Sequence, residues 1–110
     1  MIDKRLKYPK TIPTLWRLRF SRAKSQANYR GELWEFDIED WYDYWQSSGV
    51  QDRIGRDLDS VVLIRRDKKL PWNRQNCVIV ERRHQLWKLG RDNFGGVDED
   101  ITGYALYQGE

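Results

Sequence analysis

Cysteine and histidine occur only once each in this sequence of 110 residues, as Cys77 and His84. An internal disulfide and a zinc site built from several cysteines and histidines are therefore excluded. Cys77 stands in an apolar run, where we predict a small buried side chain. Long apolar runs are also absent, and the first residues do not resemble a secretion signal. We expect a soluble, cytoplasmic protein without a membrane partner.

Aromatic and charged residues, by contrast, are abundant. Aromatic residues make up 14% of the chain, including six tryptophans, and charged residues make up 34%. The apolar area of the rings allows a chain with this much charge to fold. The length fits one domain, because a second core would need roughly 50 further residues or more.

The charges alternate in sign along the chain. Residues 1–30 carry nine Lys or Arg and one acid, and residues 31–59 carry two bases and nine acids. Residues 60–91 carry nine bases and two acids, whereas residues 92–110 carry five acids and no base. If the two basic segments meet in the fold, they form a surface that attracts nucleic-acid phosphates. Alternatively, the segments neutralise one another, or the acidic tail covers the basic face or contacts a protein partner.

Apolar spacing predicts two helices in the first half of the chain. Residues 13–28 carry apolar side chains at helical spacing, namely Trp16, Phe20, Ala23 and Ala27. A second helix is predicted between a cap at Asp37 and a stop at Gly49. Its apolar stripe is more typical of a core than of a platform for stacking bases, and consists of Ile38, Trp41, Tyr42 and Trp45.

Residues 60–90 are predicted to form a strand, a loop, a strand and a helix. The strands cover residues 61–64 and 77–80, which are apolar and rich in β-branched side chains. The helix is predicted over residues 81–89, with Gly90 ending it. This order of elements is that of a ββα unit.

The run VVLIRRDKKLPWNRQNCVIVERRHQ resembles the small HNH-like (ββα-metal) endonucleases encoded by tailed bacteriophages. The shared pattern is an extended L-x-R-x-D, then P-W, an Asn and a final R-x-x-H. The upstream runs RAKSQANYRGELWEF and IEDWYDYW are similar to the region before this motif in the same proteins. The resemblance covers residues 17–85, which is most of the chain.

The resemblance implies an α+β fold within one domain, residues 1–110. We expect a small, mainly helical domain in which an N-terminal helix and an acidic aromatic helix precede an HNH-like finger at residues 60–90. An acidic tail, residues 92–110, follows the finger. One short strand is predicted in this tail, at residues 104–107.

In the HNH family a His is the general base, an Asp and the last His hold one divalent metal, and an Asn positions the loop. The catalytic positions fall here on Arg65 for the base, Asn76 for the Asn and His84 for the last His. The metal-binding Asp falls on Ile64, so that Asp67 is the carboxylate left to share Mg²⁺ or Mn²⁺ with His84. An arginine stays protonated and cannot act as a base, so we expect slow nicking of DNA at most. The residues alone also suit other roles: a surface histidine, a turn asparagine and an aspartate paired with arginine.

The basic side chains of the finger are the predicted nucleic-acid contacts. They are Arg65, Arg66, Lys68, Lys69, Arg74, Arg82, Arg83 and Lys88. Three functions remain open: a metal-dependent endonuclease, an inactive finger that binds DNA or structured RNA, and a phage inhibitor of a host polymerase or defence nuclease. The inhibitor would use the aromatic and acidic surfaces. The missing base and ligand favour the second function, in the cytoplasm of a phage host, and the sequence does not indicate an oligomeric state.

Overall fold

The computed structural model of the chain describes residues 12–93 and 101–109, which contain three α-helices and a three-stranded antiparallel sheet. The helices are α1 (Thr14–Tyr29), α2 (Ile38–Ser48) and α3 (Arg82–Asn93). The strands are β1 (Val61–Arg65), β2 (Cys77–Glu81) and β3 (Tyr107–Gln108). Short 3-10 helices lie at Gln51–Arg53 and Ile101–Tyr104. The predicted α+β class is confirmed, and no helix of the described residues is long and apolar enough to cross a membrane.

The apolar stripe predicted for α1 faces the protein interior. Two of its residues are buried and two are half-buried: Trp16 and Ala27, and Phe20 and Ala23. The helix ends at Tyr29 and is followed two residues later by Gly31, whose φ of 77° lies in the left-handed region that glycine adopts without strain. The next N–H, that of Glu32, donates to the carbonyl of Ala27 at 2.9 Å. This termination fixes the place of Glu32, which belongs to the candidate site.

Helix α2 has the ends that its sequence predicts. The Oδ1 atom of Asp37 accepts the N–H of Asp40 at 2.8 Å, and Gly49 ends the helix with a φ of 73°. Trp41 and Trp45 are only 4% and 3% exposed. The prediction that the stripe is core is therefore confirmed for these two tryptophans.

A residue outside the predicted stripe, Tyr44, is also completely buried. Its hydroxyl donates to the carbonyl of Cys77 at 2.8 Å and accepts the N–H of Gly109 at 3.1 Å. Its ring meets that of Tyr107 edge to face, with centres 5.0 Å apart. Burial raises the pKa of Tyr44 above its usual range and that of the Cys77 thiol to about 12. The predicted burial of Cys77 is confirmed, since it is 1% exposed.

The sheet is a meander in which β2 lies between β1 and β3. The pairing of β1 with β2 runs from Val61 opposite Glu81 to Arg65 opposite Cys77. The loop between the strands therefore lies at one end of the hairpin, and the start of α3 lies at the other. Buried residues occur on both faces of the sheet, because the strands alternate between two clusters of apolar side chains.

The end predicted for α3 is wrong. The helix does not stop at Gly90 but continues to Asn93. A glycine inside a helix costs only about 1 kcal/mol relative to alanine, so it marks a helix end only when the following residues also leave the helix.

The strand predicted within the acidic tail is displaced along the chain. It was expected at residues 104–107, but Ile101–Tyr104 forms a 3-10 helix and the strand is Tyr107–Gln108. The pairing is extended by the N–H of Leu106, which donates to the carbonyl of Ile79 at 2.8 Å. Residues 94–100 of the tail lie outside the described residues. The described part of the tail thus includes the third strand of the sheet.

Candidate nucleic-acid interface

One buried side chain, that of Asn76, holds the loop between β1 and β2. Its Nδ2 atom, whose two hydrogens are shared among three acceptors, donates to the carbonyls of Asp67, Leu70 and Pro71 at 2.9, 3.2 and 2.9 Å. Its Oδ1 atom accepts the backbone N–H of Asp67 at 3.0 Å. A neutral amide supplies both donors and acceptor, which a carboxylate cannot do. The side chain of Asn76 therefore fixes the backbone of this loop.

Arg65, where the resemblance places the general base, makes three contacts within the protein. Its Nη2 atom lies 3.0 Å from Oε2 of Glu32, and its Nη1 donates to the carbonyl of Leu70 at 3.1 Å. Its guanidinium carbon lies 5.3 Å from the centre of the Trp72 ring, whose N–H donates to Oε1 of Glu32 at 3.0 Å. These contacts join the loop to the segment after α1. A permanently charged guanidinium cannot take a proton from water.

The carboxylate of Glu32 is the shared partner of two arginines, Arg30 and Arg65. Arg30 donates to its two oxygens at 3.0 and 2.9 Å. The hydrogen bond from Arg30 is the main reason that the pKa of Glu32 lies below its usual range; partial burial acts in the opposite direction, and Trp72 and Arg65 lower the pKa further. Glu32 is therefore ionised at neutral pH, and both of its oxygens are engaged by neighbouring side chains.

The two predicted metal ligands have other partners. Oδ1 of Asp67 accepts the N–H of Lys69 at 2.9 Å, within the loop. The ring of His84 stacks on that of Tyr104, with centres 4.5 Å apart, and its Nδ1 is buried without a hydrogen-bond partner in the described residues. Over residues 12–93 and 101–109, no three His, Cys, Asp or Glu side chains meet in a group that could hold a metal ion. The two-ligand metal site predicted at Asp67 and His84 stays a prediction.

The eight predicted phosphate contacts separate into groups. Arg65, Lys68 and Lys88 line one cleft. Arg66 and Lys69 belong to the same loop as Lys68 and are exposed to solvent. These five residues therefore make one basic region, which we call the loop-and-cleft surface.

The other three predicted contacts lie apart from this surface. Arg74 forms ion pairs with Asp40 and Asp43 of α2, the second at 3.1 Å. Arg82 and Arg83 lie at the opposite end of the hairpin from the loop. The length of the strand, about 15 Å at roughly 3.3 Å per residue, separates them from the loop. Five of the eight predicted contacts thus lie on the loop-and-cleft surface and two lie at the other end of the hairpin. The eighth, Arg74, is ion-paired with α2.

The cleft has a volume of about 530 Å³ and lies between α1, β1, the loop and α3. Four of the six tryptophans line it: Trp34, Trp41, Trp45 and Trp72. Four basic residues and one acidic residue of the described chain also line it: Arg30, Arg65, Lys68, Lys88 and Glu32. The volume is in the range of small-ligand sites, and the excess of positive charge favours an anionic ligand.

The sequence did not indicate that Trp34 and Trp72 are neighbours. The N–H of Glu35 donates to the carbonyl of Trp72 at 2.8 Å, and the N–H of Trp72 donates to that of Leu33 at 2.9 Å. The two rings are 5.8 Å apart between centres. The signal that could have indicated this contact is the position of each residue in the sequence. Trp34 stands in a short extended segment, and Trp72 stands in a turn after Pro71. Neither belongs to an apolar helical stripe.

Comparisons with known proteins identify no relative of this chain. No family model matches it, and no curated protein and no solved structure matches it significantly. The resemblance to phage HNH-like proteins therefore remains a prediction that rests on the motif.

Proposed function

We propose that the protein binds nucleic acid through the loop-and-cleft surface, as a phage-type HNH-like finger with a degenerate cleavage site. The observation that carries this proposal is the loop held by Asn76. Four hydrogen bonds fix its backbone, so Arg66, Lys68 and Lys69 extend from a rigid base. Cations on a preorganised backbone lose less conformational entropy when they bind phosphates.

The order of elements and the charge of the cleft also support the proposal. Strand, loop, strand and helix follow one another from Val61 to Asn93, in the order that the resemblance implies. Helix α3 contacts both strands of the hairpin and brings Lys88 to the cleft that Lys68 lines. Phosphate contacts of this kind would give affinity without sequence preference.

We expect the affinity for a short duplex DNA to fall steeply as salt concentration rises. If Arg66, Lys68, Lys69 and Lys88 each neutralise one phosphate, the slope of log affinity against log salt is about −3.6. Replacing both Lys68 and Lys69 by alanine should weaken the slope by about 2. Fluorescence anisotropy of a labelled duplex over a salt series measures both slopes.

The double variant Arg82→Ala, Arg83→Ala is the matched control, because it removes the same charge from the far end of the hairpin. Its slope should remain close to that of the wild type. An equal reduction in the two double variants would contradict the location proposed here. A wild-type slope near zero would contradict nucleic-acid binding altogether and would favour the inhibitor hypothesis.

Supercoiled plasmid DNA is expected to remain uncut in Mg²⁺ or Mn²⁺. Arg65 cannot act as a general base, and the described residues hold no group of three or more metal-ligating side chains. Gel electrophoresis of the plasmid after incubation provides the measurement. A His84→Ala variant purified in parallel is the control, since nicking by both proteins would come from a contaminating nuclease. Nicking by the wild type alone would contradict the expectation and support the endonuclease hypothesis.

A further inference from the structure

The cleft follows the outer edge of β1. Every residue of this strand, Val61–Arg65, lines it. Successive residues of a strand point to opposite faces of the sheet, so a cleft that borders all of them runs along the edge of the strand. We infer that an extended acidic segment of another protein pairs with this edge as an additional strand. The inference goes beyond the proposed nucleic-acid binding and does not depend on it.

The hydrogen bonds of the hairpin show which backbone groups face the outer edge. The N–H of Arg82 donates to the carbonyl of Ser60 at 2.7 Å, in the register that continues along the two strands. In an antiparallel pair, the backbone groups of successive residues alternate between the partner strand and the opposite side. Every second residue after Ser60 therefore points its N–H and carbonyl to β2, whereas Leu63 and Arg65 point theirs to the outer edge.

This outer edge is open along most of its length. In the sheet, β1 has β2 as its neighbour on one side and is the outer strand on the other. Among the described residues, the bridge on the outer side joins Ile54 to Val61, at the start of the strand. The outward groups of Leu63 and Arg65 have no strand partner in this part of the chain. Unpaired backbone groups in a row are a template for a further strand.

The residues at the two ends of the cleft limit the length of the added strand. Ile54 lies at the start of β1, and the ion pair of Glu32 with Arg65, at 3.0 Å, lies at its end. The strand between them spans about 15 Å at roughly 3.3 Å per residue, so an extended segment of about five residues covers it.

The helices beside the edge favour a single segment over a second copy of this chain. Helix α1 contributes Ala23, Gln26 and Arg30 to the lining, and α3 contributes Gln85 and Lys88. A second copy would bring the same two helices beside its own β1. Paired strands are only about 4.8 Å apart, whereas a helix is about 10 Å across, so the two sets of helices would collide before the edges could pair.

The lining determines which side chains the segment should carry. Leu63 belongs to the same apolar cluster as Trp41 and Trp45, and all three line the cleft. A side chain directly opposite Leu63 lies on the same face of the sheet and therefore meets apolar surface. Four basic residues and one acidic residue of the described chain line the cleft, and the exposed Lys68 is one of the basic ones. Acidic side chains complement this charge, so we expect apolar and acidic residues to alternate.

The test uses a fluorescent peptide with blocked ends, Glu-Val-Glu-Val-Glu-Val-Glu. Fluorescence anisotropy should show saturable binding with a Kd below about 1 mM. The analogue with lysine in place of glutamate should bind at least about 10-fold more weakly, because its charge has the wrong sign.

Two N-methylated peptides test whether the backbone pairs. One carries N-methyl groups on all valines and the other on all glutamates, so each blocks one edge of the extended peptide. An added strand uses one edge only. One of the two peptides should therefore lose about 10-fold or more in affinity, and the other should stay within about 2-fold of the parent. These probes vary the peptide alone, so the test does not depend on the folding of a variant.

Protein variants and amide exchange locate the binding. Lys68→Glu should weaken binding of the acidic peptide about 3- to 10-fold. Lys69→Glu is the matched control, since it makes the same charge change on the same loop but does not line the cleft, and its effect should be below about 2-fold. Hydrogen exchange followed by NMR should show that the peptide slows the amides of Leu63 and Arg65 more than those of residues 62 and 64.

Several results would overturn the inference. Equal affinity of the parent and both N-methylated peptides would exclude an added strand, and so would unchanged exchange at Leu63 and Arg65. No binding below about 1 mM, or equal binding of the lysine analogue, would exclude an acidic partner segment. Protection of the two amides that rises with protein concentration, without peptide, would identify a second copy as the occupant. DNA affinity is measured separately, so each of these results leaves the proposed function standing.

Discussion

Replacement of Trp41 by alanine is expected to lower the free energy of unfolding by about 3 to 5 kcal/mol. The side chain is 4% exposed, and its ring lies 5.7 Å from those of Trp16 and Phe20 and 6.3 Å from that of Trp45, between centres. Small domains have total stabilities of about 5 to 15 kcal/mol, so this loss removes a large share of the margin. Urea denaturation followed by circular dichroism measures it, and Trp45→Ala should behave similarly.

A Trp41→Phe variant is the matched control. The indole N–H of Trp41 has no hydrogen-bond partner among the described residues, so removing it leaves no further polar group unpaired. Phenylalanine also retains most of the ring contacts, and its cost should be clearly smaller than that of alanine. If Trp41→Ala unfolds at the wild-type urea concentration but no longer binds DNA, the ring is a stacking surface and its assignment to the core is wrong.

The helices of the first half could be predicted because their signals are local. The cap at Asp37 and the stop at Gly49 act within a few residues, and the spacing of Trp41 and Trp45 places both on one face. Tyr44 could not be assigned in the same way. The group that meets its hydroxyl, the N–H of Gly109, stands 65 residues further along the chain, and no local pattern indicates that contact.

The junction of Glu32 with Arg65 and Trp72 was unpredictable for a similar reason. Glu32 is one of nine acids in residues 31–59, and the sequence does not distinguish it from the others. What distinguishes it is the glycine-terminated end of α1, together with a hydrogen bond to a tryptophan 40 residues away. The motif pointed to Arg65 as a position of interest, whereas its three contacts within the protein became visible only in the fold.

The general base and the fixed loop that the resemblance implies have different physical requirements. A general base needs an acceptor that can be protonated near neutral pH, and an arginine at position 65 removes that property. A fixed loop needs an amide at position 76, and this amide is present with four hydrogen bonds. A finger that binds without cutting requires the second feature and not the first.

Replacement of Asn76 by alanine is therefore expected to cost about 2 to 4 kcal/mol of unfolding free energy. The change leaves the N–H of Asp67 and the carbonyls of Asp67, Leu70 and Pro71 without their side-chain partner, although water will reach part of the opened loop. Asn76→Asp has nearly the same shape and keeps the acceptor, yet it replaces the donor by an oxygen that faces three carbonyls. It should be at least as destabilised at neutral pH, which urea denaturation of both variants will measure.

Gln75→Ala provides the control for this experiment, because Gln75 is exposed on the same loop and a surface substitution of this kind changes stability by less than about 0.5 kcal/mol. DNA affinity gives a second measurement on the same proteins. Since Lys68 and Lys69 extend from the loop that Asn76 holds, the two Asn76 variants should bind duplex DNA more weakly than Gln75→Ala under conditions where all three are folded. Removing a buried amide whose four hydrogen bonds hold the loop must lower stability. If the Asn76 variants unfold at the same urea concentration as the wild type, the loop is therefore held by other contacts.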